Sequence, residues 1–375
     1  MLSCHITFPL HLHIYTLSFK LYAHDFVFKP IYRMKFRAKL RKFFNIHCVF
    51  LSTTENLLKQ QENDHSFIII PFVCTTTRYV VTLKGWANTS NKIIMNGRTV
   101  ISVRDYWIAS IGDSFASGEG NPDIPAGLMN MVPAKWISDQ CHRSSRSWAF
   151  KVFEKILNET HDDAIHFTYI PCTGASVDNG ILISAKGDSQ MDTVLRISKL
   201  RGSGPDLLLM SVGGNDIGYS EILSSLIWGK TTTLFETIDM RFFYASYQFD
   251  RLALTLKKIK PSQIVIPHYF DLTRNERGII DADCAEMRQI RTENLILAEK
   301  KILQRINKLI SKKAQLYCWT VVDEVAELFR SRGSVRDSLR LQGNSFGAFH
   351  PIEEAHQSIA DLIWNKLKFQ FHYNH

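Results

Sequence analysis

The chain has 375 residues, 45% of them hydrophobic, and a formal net charge of +9. That length accommodates one large domain and something smaller, and the apolar share is ample for a buried core, which excludes a disordered or fibrous chain. The charge resembles a nucleic-acid signal but is concentrated at one end: residues 1–50 carry Lys20, Lys29, Arg33, Lys35, Arg37, Lys39, Arg41 and Lys42 against Asp25 alone, and the remainder is nearly balanced. The bulk of the chain therefore offers no basic footprint for a phosphate backbone.

Residues 1–65 read as a poorly ordered basic leader. Positions 6–19 are apolar but interrupted by Pro9, His11 and His13, with no positive charge before them and no small-residue cleavage site, a poor secretory signal. A second start at Met34 would place Lys35 to Lys42 as a charged region before Phe43 to Leu51, a short core spotted with polar residues. Neither stretch approaches the roughly 20 apolar residues that span a bilayer, so no transmembrane segment is expected. His5, His11 and His13 beside Cys4 lack the paired spacing of a structural zinc site.

Residues 66–104 read as a small β appendage. Phe67 to Val73 and Arg78 to Leu83 are rich in β-branched residues, and Lys92 to Val103 reads as two strands around Asn96-Gly97, a preferred two-residue hairpin turn.

From residue 105 strands and helices alternate, the pattern of a parallel sheet covered on both faces. Strands are expected at 106–111, 164–170, 206–212, 262–267 and 314–319. Helices are expected near 145–158, 188–200, 235–258, 284–311 and 353–369. The stretch from Cys284 to Ser311 is amphipathic, with Met287, Ile290, Leu295, Ile302 and Ile306 among charges.

Three of the strands end in short polar sequences. Ile108 to Ile111 runs into Gly112-Asp-Ser114, the strand at 164–170 into Cys172-Thr-Gly-Ala175, and Leu207 to Val212 into Gly213-Gly-Asn-Asp216. The carboxyl ends of strands are where open α/β sheets bind ligands. A serine hydroxyl is a poor nucleophile at neutral pH and needs a base and a place for the oxyanion it creates. Ser114 supplies the hydroxyl, and its own amide, at the start of a helix, is one oxyanion donor. The Gly174 amide is a second, unobstructed because glycine has no Cβ, and the Asn215 side chain is a third. Asp113 and Asp216 read as turn-stabilising side chains that bond nearby backbone. Each short motif alone is an ordinary turn; what carries weight is the order, closed by Phe349-His-Pro351 near the C-terminus.

These four blocks together resemble the SGNH hydrolases, the GDSL lipase and esterase superfamily, over roughly Tyr106 to Phe369. The resemblance implies a three-layer α/β/α sandwich with a five-stranded parallel sheet, the flavodoxin-like SGNH hydrolase fold, in residues 105–375. It implies a serine ester hydrolase that cleaves carboxylic acyl esters through a Ser-His acyl-enzyme mechanism, with Ser114 as nucleophile, His350 as base, and no cofactor or metal. The family's acid three residues before the histidine is missing, since position 347 is glycine. The Gly347 carbonyl is then the natural partner of His350 Nδ1–H; a displaced carboxylate, Asp337 or Glu353, or a degenerate site are the alternatives. His356 reads as part of the closing helix.

The substrate implied is a small-molecule or lipid acyl ester, taken up between the Gly118–Asp123 loop and the insertion at Leu226–Phe235. A carbohydrate acetyl ester, or a non-catalytic binding protein of the same fold, is the alternative. Cys141 and Cys172 occupy positions that resemble a cysteine pair in secreted relatives, with Cys284 and Cys318 as a second pair. With sequons at Asn88 and Asn158, this implies secretion or a secretory lumen, against a cytoplasmic alternative in which the thiols are reduced.

Overall fold

The computed structural model describes residues 105–126, 133–159, 164–185, 187–271, 279–280, 290–331 and 350–372, together with five strands before them. These strands are β1 (Leu2–Leu10), β2 (His13–Leu21), β3 (Met34–Lys42), β4 (Thr77–Ala87) and β5 (Ile93–Val103). The chain divides into two compact units, Met1–Asp105 with Asp162–Ala164, and Tyr106–His161 with Ile165–His375.

In the first unit β1 and β2 pair antiparallel, and β3, β4 and β5 form a three-stranded sheet with β4 in the middle. Two expectations change here. Lys92 to Val103 is not a hairpin around Asn96-Gly97: β5 runs through both residues, which pair with Lys84 and Leu83. Long-range pairing with β4 has overridden the local turn preference, and the register shifts only beyond it, where Gly85 and Trp86 of β4 pair with Met95 and Ile93 and the extra residue of β5 is Ile94. Three strands also lie within the expected leader, with β3 formed by its basic stretch. The expected strand at Phe67 to Val73 lies outside the described residues.

The second unit is built on β6 (Asp105–Gly112), β7 (Ala164–Tyr169), β8 (Leu207–Ser211), β9 (Gln263–Pro267) and β10 (Thr320–Val322). Their order across the sheet is β10-β9-β8-β6-β7. Counted within the unit this is 2-1-3-4-5, the flavodoxin-like order whose switch point lies beside its first strand. The β6–β8, β8–β9 and β9–β10 pairs are parallel. Past the end of β7, Ile170 N–H bonds Ser110 C=O and Cys172 N–H bonds Gly112 C=O, so that chain advances in step with β6. The expected five-stranded parallel sheet is the one found.

Successive residues of these strands point to opposite faces, and the two faces bury different side chains. Ile108, Leu207, Leu209 and Val265 pack on one side with Trp148 and Val152 of α2 (Trp148–Glu159) and with Ile359 and Ile363 of the C-terminal helix. Ala109, Ile111, Leu208, Met210 and Ile266 pack on the other, against helices between residues 190 and 317. A strand covered on both sides reads as an unbroken apolar run rather than an alternation, and Leu207-Leu-Leu-Met-Ser211 is buried throughout.

In chain order the helices are α1 (Ser114–Ser117), α2, α3 (Gln190–Arg201), α4 (Tyr219–Ile227), α5 (Thr231–Ile259), α6 (Thr292–Ala298), α7 (Gln304–Tyr317), α8 (Glu324–Ser331) and α9 (Glu353–His372). A π turn at Glu299–Leu303 joins α6 to α7. Buried Ala298, Ile302, Ile306, Ile310 and Ala314 recur every four residues, slightly more than one α-helical turn, and the wider turn keeps that row on one side.

The same row explains why the expected strand at 314–319 is helix. Ala314 is the last buried member, the helix stops where Cys318 turns left-handed at φ 59, and β10 follows at Thr320. Residues 281–289, where that helix was expected to begin, lie outside the described residues.

Candidate active site

Ser114 sits immediately after β6 and opens α1, a helix of a single turn. Asp113 is its cap: the carboxylate accepts from Phe115 N–H at 3.0 Å. Gly112 cannot be replaced without a shift, because a Cβ there would lie 2.5 Å from the Ser211 carbonyl oxygen, and its φ is +141°. The chain thus presses β6 against β8 one residue before it turns.

The histidine arrives from the far end of the sequence. His350 Nε2 lies 2.8 Å from Ser114 Oγ, a hydrogen bond across 236 positions. It is followed by Pro351, whose carbonyl accepts from Asn121 Nδ2 at 2.7 Å. Asn121 is buried and also bonds the Glu119 carbonyl, so the loop after α1 holds the segment that carries His350. The ring of Tyr219 meets that of His350 edge to face, with centroids 6.4 Å apart.

Gly174 and Asn215 are brought to the same end of the sheet. Asn215 Nδ2 donates to the Ala175 carbonyl at 2.9 Å, and Cys172 N–H donates to the Gly112 carbonyl at 3.0 Å, so the loop after β7 is tied to both neighbouring turns. The glycine at 174 has a left-handed φ of +76°, and a Cβ there would meet no protein atom within 4 Å. Gly174 does not line the cavity described below, whereas Ser114, Asn215 and His350 do.

The two aspartates bond backbone as expected. Besides Phe115, Asp113 accepts from Ser211 Oγ at 2.7 Å and Tyr269 OH at 2.5 Å. Burial raises its pKa, and those hydrogen bonds oppose the rise. Asp216 accepts from Val177 N–H at 3.0 Å, and burial, with Asp178 and Asp113 nearby, pushes its carboxyl up to about 7.

Of the candidate partners for His350, Glu353 is committed elsewhere: Arg146 and Lys151 each reach one of its oxygens at 3.1 Å. Gly347 and Asp337 lie outside the described residues. His356 is fully buried and its Nδ1 accepts from Trp148 N–H at 3.2 Å, at the start of α2. Burial, reinforced by His350 and Lys151, holds its pKa down to about 3, so it is a neutral structural imidazole.

Cys141 and Cys172 form the expected disulfide, and Thr173 N–H bonds the Cys141 carbonyl at 3.1 Å. Cys318 is an exposed free thiol, so the second expected pair is not made. Cys284 lies outside the described residues. Beside the disulfide, His142 is stacked on Trp136 and its Nδ1 lies 2.7 Å from the buried Glu119 carboxylate.

A cavity of about 130 Å³ opens beside Ser114 and His350. Its walls are mostly apolar, with Ile222, Leu223 and Leu226 from α4 and Leu295, Ile302 and Ile306 from the helices around the π turn, and Tyr219, Tyr269, Asp271 and Glu299 also line it. Only Leu226 of the expected Leu226–Phe235 insertion takes part. The Gly118–Asp123 loop does not line the cavity; its buried Glu119 and Asn121 hold neighbouring segments instead. Among the described residues no group of three His, Cys, Asp or Glu is placed to hold a metal ion, and no helix is long and apolar enough to cross a membrane.

Tyr269, Asn121 and Tyr219 were not read from the sequence as site residues. Asn121 falls in the Gly-Glu-Gly-Asn block beside Ser114, the one local signal; the other two are brought in by the fold.

No family model matches the chain, and no curated protein matches it. Solved structures do. The phospholipase A1 from Streptomyces albidoflavus NA297 is similar at 20% identity over 70% of this chain and 99% of that one, with a TM-score of 0.44. An extracellular lipase from Streptomyces rimosus is similar at 18% identity over 70% and 98%, TM-score 0.45. Est24, a carbohydrate acetylesterase from Sinorhizobium meliloti, is similar at 12% identity over 71% and 99%, TM-score 0.35.

Proposed function

We propose that this chain is a serine ester hydrolase of the SGNH type, with residues 105–375 as its catalytic domain. The observation that carries the reading is the 2.8 Å contact between Ser114 Oγ and His350 Nε2 at the mouth of a mostly apolar cavity. A neutral imidazole at that distance takes the hydroxyl proton as Oγ attacks an acyl carbonyl carbon. The carbonyl π electrons move to oxygen, and the oxyanion is received by the Ser114 and Gly174 amides and the Asn215 side chain. When the oxyanion collapses, the bond to the alcohol oxygen breaks and His350 returns its proton to that oxygen. A water then repeats the sequence on the acyl-enzyme and releases the acid and free Ser114.

The imidazolium formed in the first step needs an acceptor on Nδ1. Glu353 is engaged by two cations, and with glycine in place of the family's acid we assign that role to the Gly347 carbonyl, Asp337 being the displaced carboxylate that stands as the alternative. The predominantly apolar walls favour a lipid-like acyl chain over an acetylated sugar, whose many hydroxyls would face mostly aliphatic side chains there. The Cys141–Cys172 bond supports passage through an oxidising compartment.

The test is turnover of p-nitrophenyl esters from acetyl to dodecanoyl by the wild type and by Ser114→Ala. The reading expects wild-type hydrolysis that improves beyond the shortest chains and is lost in the variant. Activity confined to acetate would redirect it to the acetyl esterases, and no turnover of any ester would leave a binding protein.

A further inference from the structure

The turns that present Ser114 and Asn215 come from different strands, yet one side chain bonds both. Tyr269 lies just after β9. Its hydroxyl donates to Asp113 Oδ2 at 2.5 Å and accepts from Gly214 N–H at 2.9 Å. Asp113 is the residue before Ser114, and Gly214 is the residue before Asn215. The tyrosine is fixed in turn by Asn307 of α7: its N–H donates to Asn307 Oδ1 and its carbonyl accepts from Asn307 Nδ2, both at 2.8 Å. Its ring packs on Phe115 with centroids 5.8 Å apart and lies 3.1 Å from where a Cβ on Gly214 would stand.

We infer that Tyr269 is a positioning residue of this site, whose hydroxyl sets the separation between the nucleophile turn and the turn that bears Asn215. The inference rests on the hydrolase reading above. Oxyanion stabilisation depends on placing donors to within about 0.5 Å of the productive geometry. Asp113 also bonds Ser211 at the end of β8, through its N–H at 3.2 Å and its carboxylate at 2.7 Å, and the Tyr269 hydroxyl adds the tie that reaches Gly214, next to Asn215. Removing the hydroxyl leaves Gly214 N–H without that acceptor and Asp113 with one donor fewer, while the ring stays in place.

The experiment compares Tyr269→Phe, Asn215→Ala, the double variant and Ser114→Ala with the wild type on one p-nitrophenyl ester, with active sites counted by fluorophosphonate titration and melting temperatures recorded. Loss of a hydrogen bond to a charged group predicts a fall in kcat per active site on the order of 10- to 100-fold for Tyr269→Phe. Tyr269 itself lines the cavity, and KM should stay within about twofold because the phenylalanine ring keeps that apolar surface in place. Because Tyr269 acts partly through the Asn215 turn, the double variant should lose less than the product of the single losses.

A Tyr269→Phe enzyme with wild-type kcat, or strictly multiplicative losses, overturns the inference while leaving the hydrolase reading intact. Undiminished turnover by Ser114→Ala overturns that reading and this inference with it. If Tyr269→Phe does not fold, Asn307→Ala, which frees the Tyr269 backbone, should show the same fall in kcat at constant KM; an unchanged kcat there also overturns it.

Discussion

Asn215 donates one amide hydrogen to the Ala175 carbonyl at 2.9 Å, and a side-chain amide carries two. The first bond fixes the plane of the amide against the loop that holds Gly174, and in the proposed mechanism the second hydrogen is the one given to the substrate oxygen. A donor held in this way costs no reorganisation at the moment of reaction, which is what makes such groups effective.

Asn215→Ala is therefore expected to lower kcat by roughly 10²–10³ with KM little changed. Steady-state kinetics on a soluble ester check it. A change in KM alone would make Asn215 a substrate-binding residue instead.

The disulfide should matter for stability and geometry together. Cys141 and Cys172 are 31 residues apart, and closing a loop of that size is worth about 3–4 kcal/mol in the chain-entropy account. Replacing both cysteines by serine should lower the melting temperature and reduce kcat, because Thr173 and Gly174 lose their covalent tether. Non-reducing peptide mapping should recover the two peptides joined; free thiols at both positions would place the protein in a reducing compartment.

His356 gives a pH dependence of definite sign. Its folded pKa of about 3 lies below the ordinary histidine value of 6.5 because burial disfavours the cation. The unfolded chain thus binds a proton that the native state refuses. Stability from this group is present in full above pH 6.5 and is lost progressively as pH falls toward 3. Melting temperatures from pH 8 to 4 should fall on acidification, and less steeply for His356→Gln, which cannot take up that proton. Equal slopes for the two would remove His356 from the account.

Much of this was legible in the sequence because it was local. The apolar runs at β6 and β8, the Gly-Asp-Ser and Gly-Gly-Asn-Asp turns and the terminal His-Pro all state their conformations within a few residues. What was not legible depends on contacts between distant segments. Asn96-Gly97 looks like a turn until β4 is there to pair with it, and Ala314 to Tyr317 looks like a strand until the row from Ile302 to Ala314 is seen to need another helical turn. Tyr269 and Asn307 carry no motif at all; they are found only because β9 and α7 bring them to the end of β6. The Gly118–Asp123 loop was misjudged for the same reason, since burial of Asn121 against Pro351 requires the C-terminal segment.

The central claim is that Ser114 is a nucleophile activated by His350. The most direct measurement is reaction of the intact protein with a fluorophosphonate, followed by mass-spectrometric mapping of the adduct, in the wild type and in His350→Ala. The account predicts a single adduct on Ser114, formed rapidly in the wild type and slowed by orders of magnitude without the imidazole. An adduct on another serine, or labelling of Ser114 at the same rate in His350→Ala, would contradict it.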